Sequence, residues 1–210
     1  MVVGRAGALR GTRTVRLRAR TVRVGGRRCA LGAATPLGVL AGMGLALRLR
    51  DYGSCGRSAR DAGGLYVVRV GTEGERGTGG WVYKVGRRTG TASAAEPTGS
   101  FGTGRRLGAG ERVLWFWCRA AGNCQRTLEA TPARRSVAPG EPLRVTVRGY
   151  DDQGRGVAVG GATVRLGAAR AVSGPDGVAS VVAPSRRGSA RLSATMTGMV
   201  RSFTEAVAVR

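Results

Sequence analysis

Four cysteines stand in a chain that contains no histidine, and this constrains the fold more than any other feature. Without histidine, Ser-His and Cys-His nucleophile pairs and every histidine-ligated metal site are ruled out. An even number of widely spaced thiols points instead to disulfide staples, and so to an oxidising, extracytoplasmic setting. Cys118 and Cys124 can close a short loop beside the densest aromatic cluster, and Cys29 and Cys55 flank a predicted helix and its following strand. That nearest-neighbour pairing is one of three possible connectivities. A four-cysteine zinc site expects closely spaced pairs of thiols, and none occurs.

At 210 residues the chain has room for one large domain or two small ones. Its 37 glycines suit a turn-rich β protein and argue against long helices. The 42% hydrophobic content is enough to build cores. A net charge of +23 normally points to nucleic acid or another acidic surface. Here Lys84 is the only lysine among 35 basic residues, isoleucine is absent and Asn123 is the only asparagine. That is the profile of GC-rich codons rather than of selection for phosphate. The charge is also scattered instead of forming a basic stripe. No specific nucleic acid is expected as a partner; an anionic envelope polymer suits the same charge.

Residues 1–24 lack the apolar core of an export signal. An exported chain of this kind therefore implies a cleaved or mis-assigned start. Ala30–Leu47 is the longest uncharged run, but its glycines and Pro36 make it a poor membrane span. Thr35 reads as a helix cap, with Pro36 at the first helical position, so a short buried helix over about 36–45 is expected and no transmembrane segment.

From Thr12 to Val24, apolar residues alternate with arginine, which is strand periodicity. Gly25-Gly26 signals a hairpin turn, with Arg27–Leu31 returning. Leu45–Tyr52, Leu65–Val70, Trp81–Val85 and Arg112–Cys118 read as further strands. Gly86–Arg106 is a long polar loop. Prolines 132, 139 and 142 mark a junction over 129–142. Beyond it, Leu143–Val147, Ala162–Leu166, Val178–Ala183, Ala190–Thr195 and Thr204–Val209 are short strands separated by turns, as in a small β-sandwich. The expected organisation is a disordered extension over 1–11, a domain over 12–128, the junction, and a sandwich over 143–210.

Gly80-Trp81-Val82-Tyr83-Lys84-Val85, followed by Gly110-Glu111-Arg112-Val113-Leu114-Trp115, carries a family resemblance. The pattern resembles the Gly-Trp-x-Tyr-x-Val and Gly-Asp-x-Val-x-Trp strands of transcobalamin-like C-terminal domains, with Glu111 replacing the aspartate. The resemblance spans about 12–128 and implies a β-grasp-like α+β fold. In transcobalamins the related domain helps enclose cobalamin. No cobalamin contact maps onto a residue here, so no cofactor is expected and a cobalamin-like ligand enters only through the resemblance. Residues 129–210, with Gly161-Ala162-Thr163-Val164 and Asp176-Gly177-Val178-Ala179, resemble bacterial Ig-like or carboxypeptidase-regulatory β-sandwich domains, which space or present other domains.

Trp81 and Tyr83 share one face of their strand, and Trp115 and Trp117 share one face of theirs. One set must fill the core. The other can line a groove for a small ligand, covered by the 86–106 loop. The pair Asp151-Asp152 reads as a turn rather than as a calcium site or acid–base pair. No phosphate loop, dinucleotide fingerprint or nucleophile elbow occurs. The expectation is a mainly β, exported, non-enzymatic protein of the cell surface that binds a small ligand or surface polymer. A purely structural adhesion or scaffold module and an arginine-driven nucleic-acid binder are the alternatives.

Overall fold

The computed structural model describes all 210 residues, which divide into two compact units, Met1–Cys124 and Gln125–Arg210. Both are built mainly of strands, and no helix is long and apolar enough to cross a membrane.

In the first unit the strands are β1 (Val2–Val3), β2 (Ala8–Arg10), β3 (Arg20–Val24), β4 (Arg27–Leu31), β5 (Leu47–Asp51), β6 (Leu65–Val70), β7 (Glu73–Gly74), β8 (Gly80–Val85), β9 (Arg88–Thr89) and β10 (Val113–Cys118). One helix, α1 (Pro36–Ala41), follows β4, and a 3-10 turn, Ala59–Gly64, precedes β6. The strands form three small sheets, in the orders β2-β1-β10-β8-β9, β3-β4 and β5-β6-β7. Gly25 and Gly26, at φ 55° and 84°, make the two-residue turn that joins β3 to β4. Two consecutive positive φ values match the twist of a tight hairpin and favour glycine.

Helix α1 begins as its sequence dictates, with the Thr35 hydroxyl accepting from the Gly38 amide at 3.1 Å. A side chain at Gly38 would place its Cβ 2.8 Å from the Gly32 carbonyl oxygen, so only glycine lets the helix start against that loop. The helix ends at Ala41, four residues short of the expected Leu45. Gly42 follows, and Gly44 sits at φ 70° where a helix cannot continue. The helix lies against the five-stranded sheet, where the Trp115 indole donates to the Pro36 carbonyl at 3.0 Å. Leu31, Leu37, Leu40, Met43, Val70 and Trp115 are among the buried residues of one core.

Two expected boundaries are corrected. Residues 1–11 are not a disordered extension: Val2 is fully buried and pairs in parallel with Trp115, and Val3 with Phe116. Apolar residues at 1–3 have a sheet edge to join, and burial fixes them there. The junction expected over 129–142 lies inside the second unit, since the division falls between Cys124 and Gln125. Thr127–Pro132 forms strand β11, and the prolines sit at its end and around the turn before the next long strand. The strand expected from Thr12 is bonded into a ladder only from Arg20. Val15 and Leu17 alternate because they pack half-buried on the core, not because Arg13–Ala19 pair with a neighbour.

The second unit continues with β12 (Ser136–Val137), β13 (Pro142–Tyr150), β14 (Gly156–Ala158), β15 (Thr163–Leu166), β16 (Ala169–Val172), β17 (Val178–Val182), β18 (Gly188–Thr195) and β19 (Glu205–Val209). Strand β13 carries β11 along one edge, and β17 and then β14 along the other. The second sheet runs β12-β19-β18-β15-β16. Leu143, Val145 and Val147 point inward from β13 while Arg144, Thr146 and Arg148 point out. They meet Val164, Leu166, Leu192 and Val207 of the other sheet in a single core, which makes this unit a two-layer β-sandwich. Asp151 holds the turn after β13, accepting from the Gln153 and Arg155 amides at 3.0 and 2.8 Å. This is the turn role its sequence suggests.

Candidate ligand cleft at an open strand edge

The four aromatic candidates all lie on one face. In the β8–β10 ladder Tyr83 stands opposite Trp115 and Trp81 opposite Trp117, and directly opposed residues share a face. Trp81, Tyr83, Trp115 and Trp117 are 2–8% exposed and belong to the core of the first unit. Their polar atoms bond to main chain. Trp81 donates to the Glu73 carbonyl at 2.9 Å, Trp117 to Gly74 at 3.1 Å, and the Tyr83 hydroxyl lies 2.7 Å from the Ala92 carbonyl. The 86–106 loop packs on Tyr83 in particular: Gly90 passes directly over its ring, where a side chain would collide. The expected aromatic groove is therefore corrected, because the register that brings the two aromatic pairs together also buries them.

Both disulfides form in the nearest-neighbour pattern, Cys29–Cys55 with Cα atoms 5.3 Å apart and Cys118–Cys124 at 5.1 Å, and no cysteine is free. All four cysteines are thereby committed to disulfides.

The open concave site lies elsewhere, between β3 and β5. It has a volume of about 540 Å³. One wall is the run Arg18–Arg23, the other is Leu45, Leu47 and Leu49, and Ala41 at the end of α1 also lines it. A smaller hollow of about 270 Å³ also reaches Leu49 and is lined by Arg48 and Arg50. It has one carboxylate, Asp51, held by Arg27 at 2.9 Å. No acidic residue lines the larger cleft.

Six consecutive residues of β3 and its approach line the cleft, so this strand offers its backbone edge and not just one face. Strand β3 has β4 as its single sheet neighbour, and β5 has β6. Val24 pairs with Arg27 across the two-residue turn, which makes Val24, Val22 and Arg20 the hydrogen-bonded positions of the ladder. Thr21 and Arg23 consequently turn their N–H and C=O groups toward the free edge. The Arg20 guanidinium lies over Gly42, and its Nε is buried with no hydrogen-bond partner. A buried donor left unpaired carries a desolvation cost that an incoming acceptor would relieve. Sequence periodicity flagged this strand as having one charged face. It could not reveal that β5 leaves its edge uncovered.

The cleft combines an apolar wall, unpaired main-chain groups and three arginines, Arg18, Arg20 and Arg23. That combination can hold an extended, negatively charged molecule. Its lining contains no carboxylate or thiol to serve as acid, base or nucleophile. The first sheet and the cleft thus define a disulfide-stapled β unit with an arginine-lined edge, followed by a β-sandwich.

No family model matches the chain, so the transcobalamin-like resemblance finds no support there. No curated protein matches it. Among solved structures, the D00-D0 domain of intimin is similar over 93% of this chain and 94% of its own, at 14% identity and a TM-score of 0.30.

Proposed function

We propose that this chain is an exported, non-enzymatic binding protein of the cell envelope, whose first unit takes an elongated anionic partner and whose second unit is a spacer. The observation that carries this reading is the β3–β5 cleft, with Arg18, Arg20 and Arg23 around an apolar wall and no acidic residue among its lining. The two disulfides support an oxidising compartment. Within the same reading, the first unit is a transcobalamin-like domain, with a cobalamin-like ligand entering only through that resemblance. The sandwich is Ig-like.

The test is calorimetric titration of the full chain with two polyanions, polygalacturonate and polyglutamate. The comparison is a variant carrying Arg18→Gln, Arg20→Gln and Arg23→Gln. Binding by the parent of at least one polyanion and its loss in the variant are expected. Duplex DNA serves as the control, because phosphate-driven binding falls steeply with salt. Equal binding by parent and variant would point to the scattered charge instead. No binding at all would favour the purely structural scaffold.

A further inference from the structure

We infer that the partner is a polypeptide: an extended segment rich in Asp and Glu adds as a strand to the free edge of β3. This rests on the proposed anionic binding and names its chemistry. Two observations favour a peptide over a polysaccharide. Thr21 and Arg23 present alternating main-chain donors and acceptors along the cleft, the pattern a β-strand completes. The opposite wall is aliphatic, Leu45, Leu47 and Leu49, which suits alternate side chains of a strand; sugar rings favour aromatic platforms, and the cleft has none. The buried, unpaired Nε of Arg20 adds a donor at this wall that an acceptor on either kind of partner would satisfy.

Charge selects which strand adds. An open edge is a hazard, because any strand can pair with it, including the same strand of a second copy. Arg18, Arg20 and Arg23 repel a second copy of this strand, and the net charge of +23 repels the chain as a whole. The same arginines attract a segment that alternates acidic with apolar residues. The edge is thus guarded against its own kind and open to its complement.

The test uses the full chain and a blocked, fluorescent octapeptide of alternating glutamate and valine. Companion probes are a lysine-for-glutamate peptide, two peptides N-methylated at every second nitrogen in opposite phases, and polygalacturonate. Anisotropy reads affinity, and amide hydrogen exchange reads Thr21 and Arg23. The glutamate peptide is expected to bind and to slow exchange at both amides, and the lysine peptide is expected not to bind. One methylated phase should bind and the other should fail, because a strand offers alternate N–H groups to opposite edges. Thr21→Pro removes an edge donor that the β3–β4 ladder does not use, so the hairpin survives while affinity falls by about tenfold, the worth of roughly one or two hydrogen bonds.

Equal binding of both methylated phases, or full affinity in Thr21→Pro, overturns strand addition. Polygalacturonate binding without peptide binding overturns it too, yet leaves the anionic-partner reading standing. Failure of every probe sinks both.

Discussion

Tyr83 has an alkaline signature. Burial, more than any charge, pushes its phenol up from 10.0 to about 12, and its hydroxyl lies within hydrogen-bond distance of the Ala92 and Ser100 carbonyls. The folded state holds the neutral form above the unfolded value. The resulting stability is complete below pH 10.0 and is lost as pH rises toward about 12. Stability followed by urea unfolding at stepped alkaline pH should fall across that window, and Tyr83→Phe should shrink the fall. An unchanged profile in the variant would remove Tyr83 as its source. Trp115 is the other test of packing at this scale. Its indole bonds to the helix start, so Trp115→Phe should cost about 1–2 kcal/mol and Trp115→Ala about 3–5 kcal/mol in urea unfolding. The sequence identified the aromatic residues that matter but not their role. Whether Trp115 faces Tyr83 or the opposite surface depends on strand register, and nothing local to either strand sets it.

Among the elements, the β3–β4 hairpin is the most predictable and the most testable. Gly25, at φ 55° with open space around its missing side chain, should accept asparagine at little cost. Gly25→Ala should lose about 1 kcal/mol, because alanine resists that backbone region. The disulfides differ by loop size. Cys29–Cys55 spans 26 residues and Cys118–Cys124 spans 6. On chain entropy alone, removing the first pair by double serine substitution should cost about 3–4 kcal/mol and the second about 2–2.5 kcal/mol. Urea midpoints of the two variants check the order. Much of this level was legible. The helix cap at Thr35, the Gly25-Gly26 turn and the inward series Leu143, Val145 and Val147 follow from local chemistry and period. The short strands β1, β14 and β16 did not stand out. Two to four residues give no periodicity to read, and β1 acquires meaning only from Trp115 and Phe116, more than a hundred residues later. The cleft was hidden for the same reason: an uncovered strand edge is defined by which partner does not arrive.

For the whole molecule, the two cores share no residues, and both disulfides lie in the first unit. Thermal unfolding under reducing conditions should therefore lower the transition of Met1–Cys124 and leave that of Gln125–Arg210 in place. The second unit expressed alone should unfold cooperatively, because its core draws on its own residues. A single merged transition that moves as one under reductant would contradict that independence. The pairing of Val2–Val3 with Trp115–Phe116 also sets an order in time. The central sheet of the first unit joins strands from near both ends of that unit, so closing it means closing most of the unit's length as a loop. In a chain made from its N-terminal side, Val2 and Val3 must wait for β10 before they can be seated. During that interval the apolar side chains of residues 1–3 have no sheet to cover them, which makes them a ready handle for a chaperone.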